Sequence, residues 1–133
     1  MSSPANESVD IGPVEIRLPP DPALSRVLRL AASGMASMGG FTVDQIEDIK
    51  VTVSEVLLAL IEQGGGAFIE VRFTIAEGSF EVLGRTKVDA FDAGHPDLEL
   101  CRTVLTETAD SHGIDHVDQH AHIWATVGRA SPG

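Results

Sequence analysis

The hydrophobic period of this chain changes from that of a helix to that of a strand at the glycine run Gly64-Gly65-Gly66. Before the run, apolar residues recur every three or four positions in two long segments, which is typical of amphipathic helices. After it, Ile69, Val71 and Phe73 alternate with charged residues, which is typical of a strand that buries one face. Elements that bury only one face must cover one another, so the pattern predicts helices packed on one face of a sheet.

Turn and cap residues divide the chain into elements. Thr42 and Gln45 are three apart and form a capping-box pattern at the start of the second helix. Glu77-Gly78 is a hairpin turn signal between two alternating segments. The predicted elements are a strand at 14–18, a helix at 21–39, a helix at 42–63, a hairpin over 69–82, a helix from Pro96 and a strand or hairpin near 119–127. The predicted inward stripe of the first helix is Leu24, Val27, Leu28, Ala31, Met35 and Met38.

These elements define one domain. Strands that follow one another without an intervening helix should pair antiparallel. We therefore predict an α/β (α+β) two-layer sandwich, with a mixed, largely antiparallel sheet covered on one face by three helices. The domain is expected at residues 13–128, between a flexible N-terminal tail at residues 1–12 and a C-terminal tail at residues 129–133.

Composition narrows the classes of partner and compartment. Twenty acidic and nine basic side chains give a net charge of −11, which argues against direct binding of nucleic acid or anionic membranes. No apolar run approaches the roughly 18 residues of a membrane span, and the polar start of the chain does not resemble a signal peptide. The single cysteine, Cys101, lies in an apolar stripe, so we expect a cytoplasmic protein with a buried free thiol.

The segment from Asp44 to Gln63, DQIEDIKVTVSEVLLALIEQ, is the most informative part of the chain. It resembles the N-box helix of the GHKL, or histidine-kinase-like, ATPase superfamily, and specifically the small anti-sigma factor serine kinases. The N-box helix of that family carries a Glu followed four residues later by an Asn, and Glu55 lies at the Glu position. In element order and length, the resemblance extends over residues 13–128.

The resemblance implies a fold, a cofactor and partners. The fold would be of the Bergerat type. Glu55 would be the base or water-positioning carboxylate for phosphoryl transfer, and the Asn would hold Mg²⁺ against the phosphates of ATP. A later Asp-x-Gly-x-Gly segment would contact adenine, and a Gly-rich turn before the last helix would approach the phosphates. The implied partners are an RNA polymerase sigma factor and an anti-anti-sigma protein, often with a homodimer.

This chain departs from those nucleotide motifs at several positions. Ala59 stands four residues after Glu55 in place of Asn, and a methyl group cannot ligate Mg²⁺. The segment from Leu83 to Val88 has neither an Asp nor paired glycines. The stretch before the third helix is rich in carboxylates, which repel a triphosphate. We therefore expect Glu55 to be a vestigial base, no cofactor to bind and no efficient kinase activity.

The leading interpretation is an anti-sigma-type regulatory protein that acts by binding a sigma factor, an anti-anti-sigma protein or both. Arg26 and Arg29, on the polar side of the first helix, are the predicted partner-binding residues. The alternative is an active serine/threonine kinase that uses ATP and Mg²⁺ to phosphorylate an anti-anti-sigma protein. Glu62 or Gln63 would then supply the missing metal ligand.

Histidines near the end of the chain give a second alternative. His116, Asp118, His120 and His122 alternate in the sequence, which predicts one shared face of a strand or bent hairpin. His120 and His122 are the candidate ligands of a Zn²⁺- or Ni²⁺-binding module. The other interpretation is a polar, solvent-facing sheet surface, on which Trp124 would add an interaction patch.

Overall fold

The structure, a computed structural model, describes residues 10–64 and 66–129. The helices and strands are β1 Ile11–Leu18, α1 Ser25–Met38, α2 Val43–Gln63, β2 Ile69–Ala76, β3 Ser79–Lys87, α3 Pro96–Thr108, β4 Ser111–Val117 and β5 His120–Gly128. The predicted tails lie outside the described residues, apart from residues 10–12 and Arg129. Within the described ranges, no helix combines the length and the apolar character that crossing a membrane requires.

The strands form one open sheet in the order β1-β2-β3-β5-β4. Each neighbouring pair in this sheet runs antiparallel, so the described sheet is antiparallel throughout rather than mixed. The helices pack against the face on which the strands place their buried apolar side chains. This confirms the predicted two-layer α+β sandwich. No described helix covers the opposite face, called here the open face, which carries Arg72, Arg85 and Trp124.

The middle of the helical layer is α2, whose apolar stripe faces the centre of the sheet. Ile49 and Val53 of this stripe are completely buried. β3 approaches the helix at Gly84, where an added Cβ would lie 2.6 Å from Leu60 Cδ1 and 2.8 Å from Val56 Cγ1. The absence of a side chain at Gly84 therefore lets α2 lie directly on the sheet.

Local signals set both ends of α2. The backbone N–H of Gln45 donates to Thr42 Oγ1 at 3.2 Å, and the Thr42 N–H donates to Gln45 Oε1 at 2.9 Å, as the capping-box pattern predicts. At the other end, Gly64 adopts a left-handed conformation with φ 57°, which glycine tolerates without steric cost. These caps fix the position of Glu55 in the middle of the helix.

The first helix, α1, is rotated about its axis relative to the predicted stripe. Ala32 and Ala36 are completely buried, whereas Val27 and Met38 are 50% and 70% exposed. The predicted inward positions of Val27 and Met38 are therefore wrong. The rotation places small side chains at the packed face, which allows the helix backbone to approach its neighbours closely.

The end of the chain forms a hairpin, one of the two forms that the sequence predicts. β4 and β5 pair around a turn at Asp118-Gln119, where both residues have positive φ. β3 continues to Lys87, beyond residue 82, where the predicted hairpin ends. Beyond β5, the Arg129 N–H donates to the Gly78 carbonyl at 2.7 Å, so the start of the predicted C-terminal tail is held against the β2–β3 turn.

Candidate functional site

The residues that resemble a kinase site lie between α2 and α3. Glu55 is half-buried in the middle of α2, and burial raises the pKa of its carboxyl above the ordinary value. Cys101 of α3 is completely buried. Burial, and then the nearby Glu55 carboxylate, raise the pKa of the Cys101 thiol to about 12, against a smaller lowering effect of Arg102. The thiol therefore stays protonated at neutral pH and packs as a small apolar group.

Ala59, one helical turn after Glu55, occupies the position of the Asn that holds Mg²⁺ in the family described above. Its side chain is 3% exposed and belongs to the hydrophobic core. Nearby on the same helix, the buried Thr52 hydroxyl forms a 2.9 Å hydrogen bond with the Thr108 hydroxyl of α3. This part of α2 therefore packs against its neighbours and presents no oxygen ligand at the expected metal position.

The segment expected to contact adenine contains no carboxylate. Gly84 is packed under α2, and Arg85 lies on the open face, where it pairs with Glu70 at 3.1 Å. The hydroxyl of the buried Thr86 donates to the Phe68 carbonyl at 3.0 Å. The side chains from Leu83 to Val88 thus offer no acidic acceptor for an adenine amino group.

The connection from β3 to α3 is anchored to the β4–β5 hairpin. The N–H of the buried Val88 donates to the Gln119 carbonyl at 2.8 Å, and His116 Nε2–H donates to the Val88 carbonyl at 2.7 Å. The Phe91 ring stacks on the His116 ring, with centroids 5.2 Å apart and planes 3° from parallel. The connection from β3 to α3 therefore packs on the β4–β5 hairpin.

The N-terminal turn of α3 carries negative charge. Asp97 and Glu99 lie in this turn, and the Asp92 carboxylate just before it accepts from the Gly94 N–H at 3.0 Å. A helix N-terminus attracts anions, and these carboxylates already satisfy that preference. Together with Ala59, they show that the residues present do not fit Mg²⁺–ATP in the manner of the resembling family.

The two predicted partner-binding arginines differ in their surroundings. Arg26 is exposed on α1, whereas Arg29 is half-buried and donates from Nη1 to Ser54 Oγ of α2 at 3.3 Å. Val27 and Leu30 are also exposed on this helix, Leu30 by 70%. The outer face of α1 therefore combines the exposed Arg26 guanidinium, which forms no ion pair with any described residue, with apolar side chains.

The structure does not bring the alternating histidines together. The turn after β4 reverses the chain, so His116 faces the helical layer while His120 and His122 face the open side of the sheet. The ring centroids of His120 and His122 are 6.3 Å apart. The prediction of one shared face is wrong for His116. In residues 10–64 and 66–129 no group of three potential His, Cys, Asp or Glu ligands is close enough to hold a metal ion. Burial, with Arg85 and His120 nearby, lowers the pKa of His122.

Sequence reasoning missed the cations on the open face. Arg17, Arg72 and Arg85 come from three different strands and line one cavity of about 470 Å³. Arg17 and Arg72 alternate with apolar residues along their strands, which was the available signal. Their proximity depends on strand order and register, which local patterns do not specify.

Comparison with solved structures shows a class of fold that this chain shares with RsbW and histidine kinase domains. The RsbU and RsbW domains of Rv1364c from Mycobacterium tuberculosis match with a TM-score of 0.70 and 18% identity, over 92% of this chain and 34% of that one. A histidine kinase domain from Erythrobacter litoralis matches with a TM-score of 0.53 and 12% identity, over 84% of this chain and 61% of that one. The SiaB–SiaC complex from Pseudomonas aeruginosa gives a TM-score of 0.56 at 12% identity, over 86% of this chain and 88% of that one. At these identities the likeness concerns the fold alone.

Curated relatives define the family within this class, although no family model matches the chain. The chain is 30% identical over 107 residues to the serine-protein kinase RsbW of Bacillus velezensis, a match that covers 77% of this chain and 67% of that protein. RsbW of Bacillus subtilis is 30% identical over 101 residues, covering 73% of this chain and 63% of that protein. The chain therefore belongs to the RsbW family of serine-protein kinases.

Proposed function

We propose that this protein is an anti-sigma-type regulator that acts by binding other proteins and that its nucleotide site is degenerate. The observation that carries the proposal is the burial of Ala59, 3% exposed, at the position of the metal-binding Asn. The absence of a carboxylate between Leu83 and Val88 and the acidic N-terminal turn of α3 support it. Phosphoryl transfer depends on charge neutralisation by metal and protein, and these residues supply neither.

The proposed partner is a sigma factor or an anti-anti-sigma protein, with a homodimer as the assembled form and the cytoplasm as the compartment. The names of the relatives support kinase-type regulation, and one neighbour of the same fold was solved as the SiaB–SiaC complex. A net charge of −11 suits a partner with a basic surface, since complementary charge speeds encounter. Arg26 and Arg29 of α1 are the proposed contact residues, and they would meet acidic side chains within the otherwise basic partner surface.

Nucleotide binding is the direct test. A ligand present at about a hundred times its dissociation constant stabilises the folded state by about 2.7 kcal/mol, a shift of several degrees for a chain of this size. We expect millimolar ATP with Mg²⁺ to leave the melting temperature nearly unchanged. A clear rise that requires Mg²⁺ would show a working nucleotide site and overturn the degenerate-site proposal.

The second candidate is an active serine kinase. Its support is the name of the relatives at 30% identity, together with Glu55, which remains half-buried at the expected position. Mg²⁺ would supply charge neutralisation at the phosphates in that case. Glu62 or Gln63, at the end of α2, would have to provide the oxygen ligand that Ala59 lacks.

A further inference from the structure

The open face of the sheet collects basic side chains in an acidic protein. Four of the nine Lys and Arg residues of the chain line two cavities on this face. The larger cavity, about 470 Å³, includes Arg17, Arg72 and Arg85, and the smaller one, about 180 Å³, includes Arg17 and Lys87. Both cavities also include Glu70, so they adjoin and form one depression.

Strand register brings these side chains together. Arg17 of β1 lies opposite Glu70 of β2, which lies opposite Arg85 of β3. Residues that lie opposite each other in antiparallel strands point to the same face, with Cβ atoms about 4.5–5.5 Å apart. The row continues onto β5, where His122 lies opposite Arg85. The sheet backbone therefore fixes the positions of Arg17, Glu70, Arg85 and His122, and the connection before β2 adds Gly66, Ala67 and Phe68 to the lining.

The carboxylates in the depression do not balance its cations. Glu15 pairs with Arg72 at 3.3 Å and Glu70 pairs with Arg85 at 3.1 Å. These are the two carboxylates among the lining residues, whereas the cations number four. Arg17 and Lys87 form no ion pair with any described residue, so the lining has a surplus of two positive charges.

Apolar surface lies beside this surplus charge. The Arg17 guanidinium sits over the Phe68 ring, 4.2 Å from its centroid, and the Phe68 side chain is 46% exposed. Leu83 belongs to the lining of the larger cavity. The depression thus offers charge-assisted donors and an aromatic and aliphatic contact within one space.

We propose that this depression binds a small dianion, and that a phosphate monoester with an aromatic or apolar organic part is the ligand class that fits it. The surplus of two charges matches a phosphate dianion, and the planar guanidinium group suits phosphate oxygens geometrically. The volume of the larger cavity, about 470 Å³, lies within the range of about 300–1,000 Å³ that is usual for small-molecule sites. The depression is on the opposite face of the sheet from Glu55, so this proposal is independent of the proposed function.

The test is a titration of ¹⁵N-labelled protein with phenyl phosphate, followed by NMR. We expect saturable shifts of the backbone amides of Arg17, Phe68, Lys87 and His120, with Glu55 unmoved. Phenyl sulfate, which has a similar shape but one negative charge, should bind several-fold more weakly. Shifts centred on Glu55, or the absence of saturation at millimolar ligand, would overturn the proposal.

Charge variants separate a specific site from long-range attraction. Arg17→Gln and Lys87→Gln should each weaken phenyl phosphate binding about tenfold. The matched control is Lys50→Gln on α2, which removes one positive charge on the helical side, where Lys50 pairs with Glu47. The affinity of the Lys50→Gln variant for phenyl phosphate should stay within about twofold of that of the parent protein. Equal weakening by all three variants would show a general charge effect and reject the site.

Discussion

At the scale of single residues, the proposal of a degenerate nucleotide site depends most on Ala59. We predict that Ala59→Asn alone does not create kinase activity, because the adenine-side carboxylate and the glycine turns would still be missing. The variant should also lose about 1–3 kcal/mol of stability, since the new amide would replace a methyl group that is 3% exposed in the core. Labelled ATP with an anti-anti-sigma substrate measures the activity, and denaturant unfolding measures the stability. Rapid transfer of label would show that the rest of the site is intact.

Glu55 provides a pH-dependent prediction at the same scale. Burial raises the pKa of its carboxyl above the ordinary 4.5, so in the folded state the group holds its proton to higher pH than in the unfolded chain. Such a group lowers stability as the pH rises above about 4.5, because ionisation is easier in the unfolded state. We therefore predict that Glu55→Gln raises the melting temperature at pH 7 and that this gain disappears below pH 4.5. Thermal unfolding over this pH range is the measurement, and a variant less stable than the parent only at neutral pH would contradict the prediction.

At the scale of elements, the contact between α2 and β3 depends on Gly84. We predict that Gly84→Ala destabilises the fold by about 1–3 kcal/mol, because the added Cβ would lie 2.6 Å from Leu60 Cδ1 and 2.8 Å from Val56 Cγ1. The control is Gly34→Ala in α1, where an added Cβ meets nothing within 4 Å. That change should stabilise by about 0.5–1 kcal/mol, because alanine favours the helix. Urea unfolding of both variants measures the difference, and a neutral Gly84→Ala would mean that the helix can shift away from the sheet.

At the scale of the whole molecule, the two faces have different proposed roles, and α1 is the proposed surface for a protein partner. We predict that the double variant Arg26→Glu with Arg29→Glu weakens partner binding or self-association at least about tenfold, or about 1.4 kcal/mol. Arg26→Glu alone is the cleaner probe, since Arg29 also donates to Ser54 and its reversal would disturb the α1–α2 contact. Glu55→Gln should leave the same binding unchanged. Titration calorimetry with the purified partner measures the affinity of each variant. If Glu55→Gln abolishes binding while the arginine variants bind like the parent, the partner binds in the α2–α3 region instead.

Local signals made part of this structure predictable. The capping box of Thr42 and Gln45, the glycine after α2 and the Glu77-Gly78 turn each depend on hydrogen bonds and dihedral angles within a few residues. These signals were sufficient to place α2, the β2–β3 hairpin and the two-layer arrangement. They also placed Glu55 and Ala59 on adjacent turns of one helix, because four residues span about one turn.

Contacts between distant segments decided the rest. The rotation of α1, which exposes Val27 and Met38 and buries Ala32, follows from which surface packs best against neighbouring elements. The turn at Asp118-Gln119 sends His116 to the helical side, although its sequence parity matches that of His120 and His122. Periodicity within a segment does not carry this information.

The sequence by itself therefore determined α2, the β2–β3 hairpin, the two-layer sandwich and the alanine four residues after Glu55, because each follows from local chemistry. The tertiary structure alone decided the basic depression around Arg17 and Arg85. Those residues are 68 positions apart in the sequence, and only the pairing of β1 with β2 and of β2 with β3 brings them to one face. Register joins residues that no local pattern links, since a shift by one residue would turn either side chain to the opposite face.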